Sequence, residues 1–400
     1  MRKILLTLTI LLACCIQLFA QPRDYTAMVV DAETGEALHY ASVYIAENRG
    51  TITNQDGKFI ISAAPDEVLQ FKFIGYENLS VKASEMGAVI RLKPASQTMK
   101  EISVFPVMKL LEGITKKLNA EYRKYKKEEE AYFFRITTEI GSKKELAEAF
   151  MTARSAVNLR SISLLSGRRG LQSGDSLTSS LLDNVNFHHP LELGAMTPDV
   201  SFWNSLSTPI LKKFDKEYYN QHYNVSVSQI DSRASDPILC FNFEKKENLP
   251  PVTLLTGKLY VDAKTLKLLR FEGKIPSLGM QVTNQRVDGL TIVDLQVIAD
   301  YTHEDGYAKV SNISTTVFNE GFNCHALLYR MDTLSIATKG KKKVKENLLR
   351  TIDKVGDDSP LWVNPNIVLR TGKEEWIAYK QKKRTKTIQS DSIPKDMKPM

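Results

Sequence analysis

The stretch from residue 29 to residue 76 constrains the fold most, because short runs rich in β-branched and aromatic side chains alternate there with turn residues. The strand-like runs are residues 27–30, 41–45, 59–61 and 69–74. Gly35 and Gly57 lie in the connections, where glycine adopts a positive φ without a Cβ clash, and Asp31 and Asp56 can bond to local backbone amides. This pattern predicts β-strands joined by tight turns.

Four sequence motifs follow one another in this stretch. They are Val30-Asp31-x-x-Thr34-Gly35-Glu36, Ala41-Ser42-Val43, Gly50-Thr51-Ile52-Thr53-Asn54-Gln55-Asp56-Gly57-Lys58-Phe59 and Phe73-Ile74-Gly75-Tyr76. In this order they resemble the carboxypeptidase-regulatory-like domain of Bacteroidetes envelope proteins, over residues 24–104 at most. The resemblance implies a small transthyretin-like β-sandwich without catalytic residues, which serves as an appendage of nutrient receptors and other cell-surface proteins.

The run over residues 69–74 alternates large and polar side chains, which is typical of a strand with one buried face. Phe71 and Phe73 share that face. We therefore expect Phe73 to be buried between the two sheets of the sandwich, where truncation of a phenylalanine costs about 3–5 kcal/mol.

Residues 1–20 have the layout of a cleavable secretory signal. Arg2 and Lys3 precede an apolar run over residues 4–13, and cleavage is expected after Ala20. The mature chain is then exported, to the periplasm or the outer membrane. Cys14 leaves a second possibility, because Leu11-Leu12-Ala13-Cys14 resembles a lipoprotein box and would anchor the chain by a lipid.

The charge and hydropathy of the mature chain limit its partners. The formal net charge is +8, or +6 once Arg2 and Lys3 are lost. Export removes nucleic acid as a partner and leaves anionic lipid headgroups as a possible contact. The chain has no later run of the ~20 apolar residues that a membrane-spanning helix needs. Residues 339–400 are basic and largely unpatterned, and we expect them to be partly disordered.

The middle of the chain predicts a helix followed by a sheet. Apolar residues recur at three- and four-residue spacing over residues 107–122, as in one amphipathic helix. Two-residue alternation marks residues 134–140, 223–228, 269–275 and 293–301. Each of these runs is typical of a strand with one wet and one dry face, and hairpin-sized links at residues 262–265 and 304–306 predict antiparallel neighbours.

The fold class is thus mainly β, an N-terminal sandwich followed by a curved antiparallel sheet with a packed helix. We predict a signal peptide at 1–20, the sandwich at 21–104, the helix and sheet at 105–338, and the basic region at 339–400. Residues 257–262 and 265–272 look like the central hairpin of the lipoprotein-carrier superfamily, which implies a half-barrel around the helix. Residues 171–212 lack the alternation, and we interpret them as a long excursion from the sheet.

A curved sheet with one apolar face must cover that face, and a single helix covers it in part. Either residues 171–212 fill the remaining apolar surface completely, which makes the domain a structural or protein-binding module, or a pocket of ligand size persists, which makes it a lipophile carrier or sensor. We predict that an apolar cavity remains between the helix and the sheet. Its candidate lining residues are Leu111, Leu118, Phe271, Leu295 and Val297.

Catalytic signatures in the sequence are weak. His189-x-x-Glu192 has the spacing of a zinc carboxypeptidase motif, with His303 or His325 as a distant third ligand. Pro190 and the absence of a βαβ pattern disfavour that interpretation. No catalytic residue, cofactor or metal ligand is therefore assigned.

The leading hypothesis is a non-enzymatic exported envelope protein, which binds a partner protein or a hydrophobic ligand at the outer membrane. A hydrolase acting on glycans or peptides is the alternative.

Overall fold

The computed structural model describes residues 21–46, 49–95, 107–124, 129–141, 143–155, 159–172, 216–230, 237–247, 249, 254–284, 287–304, 306–331, 341–344, 351–352, 354–356, 360–363 and 367–382. The predicted signal peptide lies outside these residues, as do the excursion after Gln172 and the pair His189 and Glu192. Residues 96–106, where the sequence places the boundary between the two domains, are also outside, so the domain limits stay a prediction. None of the described helices is long and apolar enough to span a membrane.

The chain divides into two compact units. The first holds the described residues up to Ala95 together with Val363 and residues 367–371, and the second holds the other described residues. The fold is mainly β, with a small N-terminal pair of sheets, one large curved antiparallel sheet and three helices among the described residues.

The first unit contains seven strands in two sheets. The strands are β1 (Arg23–Asp31), β2 (Ser42–Ala46), β3 (Arg49–Ile52), β4 (Lys58–Ala63), β5 (Val68–Lys72), β6 (Leu79–Lys82) and β7 (Val89–Leu92). One sheet has the order β4-β1-β7 and the other has the order β3-β2-β5-β6. All described pairs are antiparallel except β1 with β7, which run parallel.

The two sheets of the first unit share one hydrophobic core. Val29 and Phe59 come from the first sheet, Val43 and Phe71 from the second, and all four are fully buried. The rings of Phe59 and Phe71 meet edge to face, with centroids 5.7 Å apart. The predicted β-sandwich is confirmed.

The prediction for Phe73 is wrong. Strand β5 ends at Lys72, and the chain then turns through Gly75, which has φ +89°. Phe73 lies in this turn, where it is half-buried and packs against the ring of Tyr76 at 5.3 Å. Phe71 is the aromatic residue of this run that fills the space between the sheets. The alternation identified the correct face, but it did not indicate where the strand stops.

The second unit contains the remaining elements. They are α1 (Val107–Lys124), β8 (Glu129–Ile140), β9 (Lys143–Ser155), β10 (Leu159–Gln172), α2 (Lys216–His222), β11 (Tyr223–Ile230), β12 (Ile238–Lys245), β13 (Thr256–Asp262), β14 (Leu268–Asn284), β15 (Val287–Glu304), β16 (Tyr307–Asn319), β17 (Phe322–Met331), β18 (Lys342–Lys343) and α3 (Gly372–Lys382). A 3-10 turn, Pro360–Val363, precedes α3.

The eleven strands of this unit form one antiparallel sheet with the order β11-β12-β13-β14-β15-β16-β17-β8-β9-β10-β18. Most neighbours follow each other along the chain, and the exceptions are the pairings of β17 with β8 and of β10 with β18. The predicted hairpins at residues 262–265 and 304–306 connect antiparallel neighbours, as expected.

Helix α1 contributes to the core of this sheet. Leu111, Ile114 and Leu118 recur every three or four residues and are buried in one cluster with side chains from β8 to β17. Glu121, one turn further on, is also buried, and its Oε2 accepts a hydrogen bond from the backbone N–H of Ala308 at 3.1 Å.

The opposite face of β8, β9 and β10 carries a buried ionic network. Glu148 on β9 accepts a hydrogen bond from Arg135 Nε on β8 at 2.8 Å, and it accepts two from Arg168 on β10 at 2.8 and 2.6 Å. Glu374 of α3 reaches Arg135 at 3.4 Å, so this network ties the C-terminal helix to the sheet. Trp362 stacks over the guanidinium of Arg168 at 4.0 Å.

A candidate binding groove on the large sheet

The five predicted lining residues lie together in the core of the second unit. Leu111 and Leu118 come from α1, Phe271 from β14, and Leu295 and Val297 from β15. All five belong to one buried cluster, with exposed fractions between 0 and 4%. A side chain on the wall of an open cavity exposes area to a water-sized probe, and these five expose almost none. Their role as the lining of a ligand cavity stays a prediction.

An open groove of about 470 Å³ lies over strands β12 to β15. It is lined by Asn242, Phe243, Glu244, Thr256, Gly257, Lys258, Glu272, Gly273, Lys274, Gln296, Val297 and Ile298. Three consecutive residues from each strand thus form the groove. Val297, one of the predicted lining residues, contributes to the groove as well as to the core.

The register of the sheet sorts these residues into three rows, because directly paired residues of an antiparallel sheet share a face. One wall of the groove is the row Asn242, Lys258, Glu272 and Ile298. The other wall is the row Glu244, Thr256, Lys274 and Gln296. The floor is the row between them, Phe243, Gly257, Gly273 and Val297. Phe243 and Val297 are buried on the core side, so the floor is mainly backbone.

Two glycines of the floor row face each other across β13 and β14. A Cβ at Gly257, which has φ +150°, would lie 1.9 Å from the carbonyl oxygen of Glu272. A Cβ at Gly273 would lie 2.5 Å from the ring of Phe271. Neither position accepts a larger residue without movement of the backbone or of the core.

Both carboxylates of the groove already have hydrogen-bond donors. Glu272 accepts from Arg270 Nε at 2.7 Å and from the hydroxyl of Tyr260 at 3.3 Å. Burial raises the pKa of Tyr260, so this hydroxyl stays protonated and donates. Glu244 accepts from the side-chain amide of Asn242 at 2.8 Å.

The two lysines of the groove differ from its glutamates in their bonding. Lys258 and Lys274 are exposed, and among the residues that the structure describes neither side chain has a hydrogen bond or an ion pair. They stand on opposite walls and on neighbouring strands. A diagonal pair of this kind has its Cα atoms about 7–8 Å apart. The groove therefore offers two ammonium groups without an ion pair among the described residues, above a backbone floor.

Sequence reasoning missed Lys258 and Lys274 as functional candidates, although a signal was present. The dipeptide Gly-Lys occurs at residues 257–258 and again at residues 273–274, at equal distances from the predicted turn at residue 265. A hairpin with that turn pairs the two glycines. The chain runs in opposite directions in the two strands, so the following lysines fall on opposite sides of the glycine pair.

His303 and His325, the candidate third ligands of the zinc motif, bond to residues outside the groove lining. His303 Nε2 is 2.6 Å from the carbonyl oxygen of Leu268, and His325 Nε2 is 3.0 Å from the hydroxyl of Ser314. Within the described part of the chain, no three His, Cys, Asp or Glu side chains are grouped so that they could hold a metal ion.

Residues 26–104 match the family described as the CarboxypepD_reg-like domain. This confirms the resemblance that the four N-terminal motifs carry. Domains of this family are non-catalytic β-sandwiches and are typical of extracytoplasmic proteins. No curated protein is similar enough to the chain to count as a match. The resemblance of the second unit to lipoprotein carriers stays a prediction.

Proposed function

We propose that this protein is an exported, non-enzymatic protein of the cell envelope, which binds a partner protein or a hydrophobic ligand at the outer membrane. The family of its first unit supports a binding role, because that domain is non-catalytic and typical of extracytoplasmic proteins. Export also agrees with residues 1–20, whose layout is that of a secretory signal.

The groove over β12 to β15 is the observation that favours a partner protein over a carried ligand. The predicted cavity residues Leu111, Leu118 and Phe271 are packed to 4% exposure or less, which leaves little room beside them for an acyl chain. The groove, in contrast, is open and presents polar side chains that have no partner within the described residues. An open groove on a sheet, with charged side chains on both walls, suits recognition of a protein segment.

Site-specific crosslinking tests this proposal in cells that make the full chain. A photoreactive residue in place of Gln296, which is exposed on a groove wall, is expected to yield an adduct with one envelope protein. The matched control carries the same residue in place of Lys109, which is exposed on α1. The two positions lie on the same unit, so a partner that docks in the groove reacts with the first and not with the second.

Analysis of the purified protein gives the opposing outcome. A stoichiometric amphiphile in native mass spectra, together with no adduct at position 296, would support a hydrophobic-ligand carrier and overturn the partner proposal. Turnover of a glycan or peptide by the purified chain would overturn the non-enzymatic assignment. The mass of the mature N-terminus, at Gln21 or at a lipid-modified Cys14, tests the export route.

A further inference from the structure

We propose that the groove over β12 to β15 binds an extended segment of the partner protein that carries two adjacent acidic residues, with one carboxylate on Lys258 and the other on Lys274. This inference rests on the proposed binding function and names the chemistry of the partner at that site.

The dimensions of the groove suit a single extended chain. Four strands spaced about 4.8 Å apart give a length of about 14 Å, and residues two positions apart along a strand place the walls about 7 Å apart. An extended peptide advances about 3.3 Å per residue, so about four residues fill the length. The recess is too narrow for a second strand beside the first.

The free charges of the groove define the preferred side chains. Lys258 and Lys274 are exposed cations without an ion pair in the described part of the chain, whereas Glu272 and Glu244 already accept hydrogen bonds. An added carboxylate therefore meets two ammonium groups without displacing an existing ion pair. Complementary charge of this kind fixes the register of a bound segment.

The position of the two lysines on opposite walls selects adjacent acidic residues. In an extended peptide, neighbouring side chains point in opposite directions, and side chains two positions apart point the same way. When the peptide lies along the groove, residues n and n+1 face opposite walls. They can therefore reach Lys258 and Lys274 together, whereas residues n and n+2 reach a single wall.

Other features of the groove agree with a peptide rather than a membrane surface. The groove carries two lysines and two glutamates, whereas a patch that binds anionic lipid typically holds four to eight basic residues. Gln296 is exposed on one wall and offers both a donor and an acceptor to the backbone of a bound segment. The isoleucine side chain of Ile298 adds an apolar contact on the other wall.

Titration calorimetry on the full chain with capped six-residue peptides tests the proposal. The peptide Ser-Thr-Glu-Glu-Thr-Ser is expected to bind about tenfold more tightly than Ser-Thr-Gln-Gln-Thr-Ser, which corresponds to two exposed ion pairs of about 0.7 kcal/mol each. A peptide with the order Ser-Glu-Thr-Glu-Thr-Ser has the same charge as the first peptide. It is expected to bind about threefold more weakly, because its two carboxylates face one wall.

The variant with Lys258→Glu and Lys274→Glu is expected to lose the preference for the Glu-Glu peptide. The control is the double variant with Lys109→Glu and Lys343→Glu, which changes the net charge by the same amount at two exposed positions of the same unit, the second on β18 at the far end of the strand order. At about 0.15 M salt the Debye length is about 8 Å, so distant charges are screened and the control is expected to change affinity by less than about twofold.

Equal binding of the Glu-Glu and Gln-Gln peptides would overturn the proposal, as would equal losses in the two double variants. If anionic phospholipid vesicles bind through Lys258 and Lys274 while the Glu-Glu peptide is not preferred, the ligand of the groove is a lipid surface and the peptide proposal is wrong. If an adduct forms at position 296 while no acidic peptide binds, the partner-binding function stands and the acidic motif is wrong.

Discussion

Lys258 and Glu272 are direct partners in the register of the large sheet, but the carboxylate of Glu272 accepts its hydrogen bonds from Arg270 and Tyr260. The same guanidinium group holds both oxygens of Asp300, at 3.0 and 3.2 Å. Arg270 therefore determines where Glu272 points. Because it engages that carboxylate, it leaves the ammonium group of Lys258 available to a ligand.

Replacement of Arg270 by methionine is expected to lower the free energy of unfolding by about 3 kcal/mol, because it leaves two carboxylates without their buried counter-charge. Trp362 and Trp376, the tryptophans that the structure describes, belong to the second unit, so their fluorescence during urea denaturation follows this unit. Lys258→Met, on the same hairpin, is the control and is expected to change stability by less than about 0.5 kcal/mol. Equal effects of the two changes would show that the Arg270 network is not stabilising.

Replacement of Glu148 by glutamine is expected to destabilise the second unit by about 3 kcal/mol. The amide keeps the size of the side chain but leaves the buried guanidinium of Arg135 and the half-buried one of Arg168 without their shared anion. The same fluorescence measurement checks this value. Glu139→Gln is the matched control, because Glu139 lies on the neighbouring strand and forms partly exposed pairs with Lys144 and Lys373, each worth at most about 1 kcal/mol.

Phe71→Ala is expected to cost about 3–5 kcal/mol in the first unit, since Phe71 is fully buried between the two sheets. Phe73→Ala is expected to cost less, because Phe73 is half-buried in the turn after β5. Hydrogen exchange of peptides from β4 and β5 in the full chain measures both effects. Similar exchange rates in the two variants would contradict the packing of this sandwich.

Glu121→Gln is expected to stabilise the second unit increasingly as the pH rises. Burial raises the pKa of Glu121 above its ordinary value of 4.5. The folded state thus favours the protonated form, and the associated stability is present below pH 4.5 and is lost as the pH rises through the folded-state pKa. Glutamine does not ionise and still accepts the N–H of Ala308.

The measurement for Glu121 is the difference in unfolding free energy between variant and parent, taken at pH 4 and at pH 7.5. The difference is expected to be near zero at the lower pH and to favour the variant at the higher one. Glu112→Gln, at an exposed position of the same helix that pairs with Lys116, is expected to have a small effect at both pH values. A pH-independent difference for Glu121→Gln would contradict the assigned direction.

Local sequence patterns predicted those parts of the fold that depend on local periodicity. The helix over residues 107–122 is α1 (Val107–Lys124), and the long alternation over residues 293–301 lies within β15. The spacing of apolar residues and the identity of turn residues suffice to predict such elements, because each of them buries one face. The short strands β3, β6 and β7 went unpredicted, since four residues carry too little periodicity.

Features that join distant residues could not be predicted in the same way. Glu374 contacts Arg135, although the two residues are 239 positions apart in the sequence. No local sequence pattern links them. The lining of the groove can be predicted only if the register of all four strands β12 to β15 is known. The sequence allowed the register of one hairpin, β13 with β14, to be predicted. Its lysines looked like ordinary surface charge, because their lack of partners depends on where Arg270 directs Glu272.

The pairing of β17 (Phe322–Met331) with β8 (Glu129–Ile140) sets an order of events for a chain that emerges from its N-terminus. The strands β8, β9 and β10 are available to pair long before β17 is. Until then the outer edge of β8 carries unpaired N–H and C=O groups, which are a template for wrong strand addition. Closure of the sheet is also a non-local step and therefore slow. Assembly of the second unit is thus completed only after β17 has emerged, and a chaperone that shields the β8 edge until then would raise the yield of the native protein.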